Sequence, residues 1–176
     1  MEGHSNQPER QGANGMIVHL SGPWAIVINI TVWLIIHIVV GMSTARIRPN
    51  SFNPESWLYR QRTWERGGKT YRSLLKVKKW KRFLPDGVAV FKGGLKKGHL
   101  DNADTSHVQR YILETCRAEL THWVILLFAL IFFVWSDWWI GLIMVAYGLA
   151  ANMPCIIAQR YNRIRLKRLH ERCNRG

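Results

Sequence analysis

The sequence predicts an all-α integral membrane protein of about three transmembrane helices plus amphipathic interfacial helices. Three observations predict it. Hydrophobic residues make up 48% of the chain although its formal net charge is +14. A soluble core does not produce that pairing, but apolar spans with charged flanks do. The apolar residues are also gathered into long stretches. Nine Trp residues are present, a residue type favoured where an amphipathic ring meets both hydrocarbon and headgroups. The length of 176 residues suits one domain.

Residues 1–22 are polar, with Arg10 against Glu2 and Glu9, and read as a disordered tail. The first span, about 24–45, contains WAIVINITVWLIIHIVVGM without a formal charge. It is long enough to cross roughly 30 Å of hydrocarbon, and Arg46, Arg48 and Pro49 stop it. A cleaved signal peptide fits less well, because the positive flank follows the apolar run instead of preceding it. Within this span His37 reads as a packed or interhelical polar group.

Residues 46–118 form a long basic loop. Trp57, Leu58, Tyr59 and Trp64, then Leu74, Val77, Trp80, Phe83 and Leu84, repeat apolar groups every three to four residues, with Lys and Arg between them. That is the pattern of an interfacial helix on an anionic surface, or of an amphipathic helix packed on the protein. Pro85-Asp86-Gly87 ends it as a turn. Residues 88–106 read as a Gly- and Asp-bearing loop.

A helix is predicted from Ser106 onward, running straight into the second span, about 120–135. Ser136-Asp137 makes a tight turn flanked by Trp135, Trp138 and Trp139. The third span is about 138–158, and 171–176 is a basic C-terminal end. Of the 25 Lys and Arg, 17 lie in 46–118, seven in 160–176 and one in 1–22. Two spans separate the two basic regions, so both lie on one side. The positive-inside rule places that side in the cytoplasm of a multi-pass cell-membrane protein, with the N-terminus and the Ser136-Asp137 turn outside.

Other classes are disfavoured. The charge sits beside spans and no nucleic-acid fold is visible, so anionic lipid heads or a phosphorylated co-substrate explain it better than a nucleic-acid partner. Cys116, Cys155 and Cys173 have no CxxC spacing and read as free thiols. A single E-x-x-H motif falls short of the paired motifs of di-metal bundles, so no metal is predicted. His99-x4-Asp104 matches a spacing known from one class of lipid acyltransferases, without its surrounding elements.

Three clusters carry candidate chemistry. In ETCRAELTHW (114–123), Glu119 and His122 are three apart and share a helix face where the second span leaves the basic side. A carboxylate beside an imidazole suits a general base acting on a hydroxyl, and ionisable groups at membrane depth are costly unless paired or functional. Glu114 and Arg117 are i,i+3 neighbours. In ANMPCIIAQRYNRIRL (151–166), Pro154 frees the Ala150 carbonyl, which Asn152 is placed to satisfy. Gln159, Arg160, Asn162 and Arg163 then emerge at the interface, with the arginines spaced to grip phosphate. In KVKKWKRFLPDG (76–87), a basic strip containing Lys79 ends at the lone acid Asp86.

At these three clusters, in this order and over roughly residues 24–170, the sequence resembles the glycosyl-4,4'-diaponeurosporenoate acyltransferases of staphyloxanthin-type carotenoid biosynthesis. Ile164 departs from the family pattern, where proline is expected, and 1–22 looks like an added extracytoplasmic tail. The resemblance implies a membrane acyltransferase-like domain over 23–170 that transfers a fatty acyl group to a sugar hydroxyl of a glycosylated lipid or carotenoid. It implies His122 as the base, oriented by Glu119. Lys79, Arg160 and Arg163 would bind donor phosphates, and Asn152, Gln159 or Asn162 the developing oxyanion. Asp86, Glu114 and Arg117 complete the substrate-binding candidates. The implied partners are membrane lipids, the glycosylated acceptor and an acyl donor. Acyl-CoA is the expected co-substrate, with no further cofactor. The rival from another class is a non-catalytic membrane scaffold or lipid-binding subunit, in which Glu119 and His122 only join helices.

Overall fold

The computed structural model describes residues 23–73, 75–80 and 105–175. The expected tail 1–22, Asp86 with its turn, and the His99/Asp104 spacing lie outside the described residues. Helix α1 spans Pro23–Ala45, α2 Lys69–Ser73 and α3 Val77–Trp80. Helix α4 spans Thr105–Phe128 and continues as a 3-10 segment, Ala129–Val134. Helix α5 spans Trp138–Cys173. Among the described residues, three helices are long and apolar enough to cross a membrane: α1, α4 with its 3-10 extension, and α5.

In hydrocarbon every backbone N–H and C=O must find a partner within the segment, and a helix provides this. α1 carries no Asp, Glu, Lys or Arg and ends where the arginines begin. α5 runs unbroken through Pro154 for 36 residues, roughly 54 Å at the rise of an α-helix. A bilayer core takes up about 30 Å of that. The expected third span, 138–158, is therefore its first part only, and the basic residues from Arg160 onward continue the same helix beyond it.

The three long helices alternate in direction. At the end bearing the 136–137 turn, Trp135 Nε1 donates to Asn29 Oδ1 at 2.9 Å. At the opposite, basic end, the Thr44 and Thr121 hydroxyls meet at 2.8 Å, and Arg117 donates to the Ala45 carbonyl at 3.2 Å. Between these ties, Trp33, Ile36 and Val40 of α1 pack on Ile125, Ala129 and Phe132. Gly148 of α5 completes the contact, since a Cβ there would lie 3.0 Å from Trp33 Cη2. The outward faces keep large apolar side chains exposed, among them Trp24, Ile26, Leu127, Leu142 and Trp138. Apolar exposure on this scale marks a surface meant for something other than water.

The basic segment 57–80 is not one continuous helix. Arg66, Gly67 and Gly68 take positive φ of 43°, 63° and 82°, a left-handed turn that breaks it into a 3-10 stretch, Thr63–Gly68, and the short α2 and α3. Glycine suits 67 because its φ of 63° lies in the left-handed region that L side chains rarely adopt. Tyr71 and Val77 bury themselves against Tyr161 and Ile164 of α5, while Trp57 and Trp64 stay exposed. The segment thus docks on the basic half of α5. On the other side of α5, Val108 and Ile112 of α4 pack on Leu166.

Candidate active site

The buried polar residues gather on the facing stripes of α4 and α5. On α5, Asn152, Gln159 and Asn162 recur at spacings of seven and three, beside Arg163, and all four are buried. On α4, Thr115, Cys116 and Glu119 are buried opposite them. Helical spacing puts each set on one face.

Glu119 is fully buried, and its oxygens are taken by arginines. Arg160 Nη1 donates to Oε1 at 2.8 Å, and Arg163 Nη2 pairs with Oε2. Trp123 Nε1 approaches Oε1 at 3.4 Å. Arg160 also holds the basic segment: Nε pairs with Glu65 at 2.9 Å, Nη1 donates to the Leu58 carbonyl at 2.9 Å and Nη2 to the Arg60 carbonyl at 3.1 Å. The Arg163 guanidinium lies 5.5 Å from the Tyr59 ring centre, and Nη1 reaches Cys116 Sγ at 3.7 Å.

Glu65, which the sequence did not single out, is therefore a full member of the site. It is buried and accepts hydrogen bonds from Tyr71 Oη, Arg160 and the Arg62 N–H. Burial alone would raise its pKa. The hydrogen bonds from Arg160, Tyr71 and the Arg62 backbone, with the Arg160 charge, outweigh burial and hold the carboxyl below its ordinary range. Tyr71 is pushed well above the usual phenol value by burial and then by its bond to Glu65. Tyr59 is raised to about 12, chiefly by burial, with the Glu119 carboxylate adding to it. No motif flags Glu65. Its only signal is that it is the one acid among the arginines of 60–72.

Two carboxylates and two guanidiniums thus make a neutral, mutually satisfied cluster. This bears on the expected part of Arg160 and Arg163: Arg160 donates to carboxylates and carbonyls, and Arg163 to Glu119 and the Cys116 sulfur. It also changes the expected part of Glu119. The hydrogen bond at His122 Nδ1 goes to Asn152 Oδ1, at 2.8 Å. Asn152 Nδ2 in turn donates to the Gly148 carbonyl at 2.9 Å, not to the carbonyl of Ala150 that Pro154 frees. An Asn reaching back four residues bonds the carbonyl directly beneath it.

The amide orientation follows from that anchor. A carbonyl only accepts, so the Nδ2 end faces Gly148 and Oδ1 faces the imidazole. His122 therefore carries its proton on Nδ1, and Nε2 is the basic nitrogen. Glu114 and Arg117 form an i,i+3 pair at 2.5 Å, and Arg117 ties α4 to the end of α1. Lys79 is exposed on α3, at the segment docked against Tyr161 and Ile164. His37 Nδ1 donates to the Trp33 carbonyl at 2.8 Å, a bond within its own helix.

The stretch holding these groups is also what relates the chain to known proteins. The family model of the glycosyl-4,4'-diaponeurosporenoate acyltransferases (CrtO) matches residues 54–172. The chain belongs to this family. It is 34% identical over 137 residues to the glycosyl-4,4'-diaponeurosporenoate acyltransferase of Staphylococcus aureus strain N315, covering 78% of this chain and 82% of that protein. The proteins of that name from strains USA300 and Newman are 33% identical over the same shares. No solved structure matches. As a member of the diaponeurosporenoate acyltransferase family the chain is an acyltransferase, and the matched residues include Glu65, Glu119, His122, Asn152, Arg160 and Arg163.

Proposed function

We propose that this membrane-spanning acyltransferase moves a fatty acyl group onto a sugar hydroxyl of a glycosylated, lipid-like acceptor such as a carotenoid glycoside, with His122 as general base. The observation that carries the reading is the Gly148–Asn152–His122 chain of hydrogen bonds. It fixes the imidazole in the tautomer whose Nε2 can accept a proton, near the level where α4 leaves the basic end. Nε2 takes the hydroxyl proton as the oxygen attacks the acyl carbonyl. The acyl–sulfur bond of an acyl-CoA donor then breaks, and the thiolate leaves with the proton that His122 returns. Asn152 is the positioning residue, and the Glu65–Arg160–Glu119–Arg163 cluster holds the two helices and the basic segment around it.

Phosphates of the donor fall to exposed cations, Lys79 first, since Arg160 and Arg163 are committed to carboxylates. Gln159 and Asn162, buried on the same stripe, remain the candidates for the oxyanion. The protein is a multi-pass cell-membrane enzyme with its basic loop and C-terminus cytoplasmic. It works among membrane lipids and needs no cofactor beyond the acyl donor.

The test is transfer from labelled acyl-CoA to a glycolipid extract, read as new esters by mass spectrometry. His122→Ala is expected to lose the ~10²- to 10⁴-fold contribution of a general base while unfolding at the wild-type temperature. Wild-type turnover in a folded His122→Ala protein would sink the assignment. A lower unfolding temperature with turnover per folded molecule intact would favour the scaffold reading of Glu119 and His122.

A further inference from the structure

The outer flank of the basic segment carries a recess that neither the buried cluster nor the proposed reaction uses. Its volume is about 760 Å³, and it is lined by Trp64, Arg66, Lys69, Thr70, Arg72 and Ser73. Three of these six are cations and none is an acid. The acid of the stretch, Glu65, is turned the other way, onto Arg160 and Tyr71. The two neighbours part at the left-handed turn. Arg66, with φ of 43°, is exposed, while Glu65 is buried. Lys69 and Arg72 are both exposed and lie three apart on α2, so they share a side of the helix. The hydroxyl protons are spent on the backbone. Thr70 donates to the Trp64 carbonyl at 2.7 Å and Ser73 to the Lys69 carbonyl at 3.0 Å. What the recess offers a ligand is therefore its positive charge.

Its depth follows from where the segment docks. Tyr71 and Val77 pack on Tyr161 and Ile164, which lie three and six residues past 158, the expected end of the third span. That is about 4.5 and 9 Å along the helix, against a headgroup layer roughly 5–7 Å deep in each leaflet. Rings step outward from α5: Tyr161 to Tyr71 at 6.3 Å, then Tyr71 to Trp64 at 5.6 Å. Trp64 is the outermost of the three and stands 55% exposed. Trp57 is 70% exposed, with the Arg62 guanidinium 5.0 Å from its ring centre. Indoles interleaved with guanidiniums suit the boundary between hydrocarbon and headgroups.

We propose that this recess binds the headgroup of an anionic phospholipid in the leaflet at the basic end of the helices. A net-negative headgroup meets three cations there, whereas a zwitterionic one brings a cation of its own. The phosphates of a soluble donor share the chemistry, and the exposed indoles at headgroup depth favour the lipid. The same turn carries Glu65 on its inner side, so a headgroup held outside braces the segment on α5.

The experiment uses the full chain in detergent, titrated with phosphatidylglycerol or phosphatidylcholine, with bound lipid read by native mass spectrometry. Wild type is expected to retain phosphatidylglycerol more tightly than phosphatidylcholine and to unfold at a higher temperature in its presence. The double variant Lys69→Gln/Arg72→Gln is expected to bind phosphatidylglycerol about thirtyfold more weakly, the factor for two cations at roughly 1 kcal/mol each near an anionic surface, and to lose the thermal shift. Ser73→Glu, which adds a negative charge without removing a cation, is expected to show the same loss, so misfolding of one variant does not decide the result. Arg48→Gln/Arg110→Gln removes the same charge from exposed positions outside the recess and is expected to bind like wild type. Equal weakening in both double variants would overturn the proposal, because the attraction would then be diffuse. Unchanged binding in Lys69→Gln/Arg72→Gln and Ser73→Glu would overturn it as well. Displacement of phosphatidylglycerol from wild type by free coenzyme A would assign the recess to donor phosphates instead.

Discussion

Each of the two central polar residues is decided by what its neighbours donate or accept. Glu119 is buried between two guanidiniums, so removing it strands two positive charges away from water. Glu119→Ala is expected to cost about 3–5 kcal/mol, the usual penalty for breaking a buried pair from one side, measurable as a fall in unfolding temperature in detergent. Asn152 bears on the proposed base, His122, instead. Asn152→Leu removes the acceptor at His122 Nδ1 and should lower kcat with little change in donor KM, whereas Asn152→Asp keeps an acceptor oxygen and retains more activity. Glu65 gives a pH signature. Its folded pKa lies below its ordinary value, so its contribution to stability is present above the ordinary carboxylate pKa, about 4.3. That contribution is lost as pH falls through the lower folded value. Unfolding midpoints across that acid window are expected to flatten in Glu65→Gln. At this scale the sequence showed which residue types were costly at membrane depth, but not their partners. Glu65 and Arg160 are 95 positions apart, and no spacing rule reaches that far.

The long elements were legible because apolar length and a charged stop are local properties. α1 begins one residue before the expected first span and ends with it. The segment 57–80 was legible as basic and aromatic but not as broken. Its apolar repeat suited one helix, and the turn at Arg66–Gly68 breaks it because Gly67 and Gly68 take positive φ at little steric cost. Helix α4 begins at Thr105, as the expected helix from Ser106 into the second span foresaw, whereas α5 reaches past its expected span, since polar sequence continues a helix when a partner helix covers it. The packing of α1 on α5 depends on Gly148. Gly148→Ala is expected to overpack the Trp33 contact, at about 1–3 kcal/mol, and a double variant with Trp33→Phe should recover part of the loss. Additive effects in thermal unfolding would show that the two positions do not share this contact.

For the whole molecule, span parity and charge combine. The proposed orientation predicts that an epitope at the N-terminus is accessible on intact cells, while Cys173, partly exposed near the end of α5, reacts with an impermeant maleimide only after lysis. Reversed accessibility would move the site to the other face of the membrane. What the sequence determined by itself is the helical class, the number of long apolar helices and the family. All of these follow from composition, local periodicity and three contiguous motifs. Only the tertiary structure decided that Arg160 and Arg163 pair with Glu119 and Glu65, and that Asn152 hydrogen-bonds His122. The physical reason is that a buried donor must be satisfied by whatever acceptor the fold brings within about 3 Å, and that proximity is set by how helices cross.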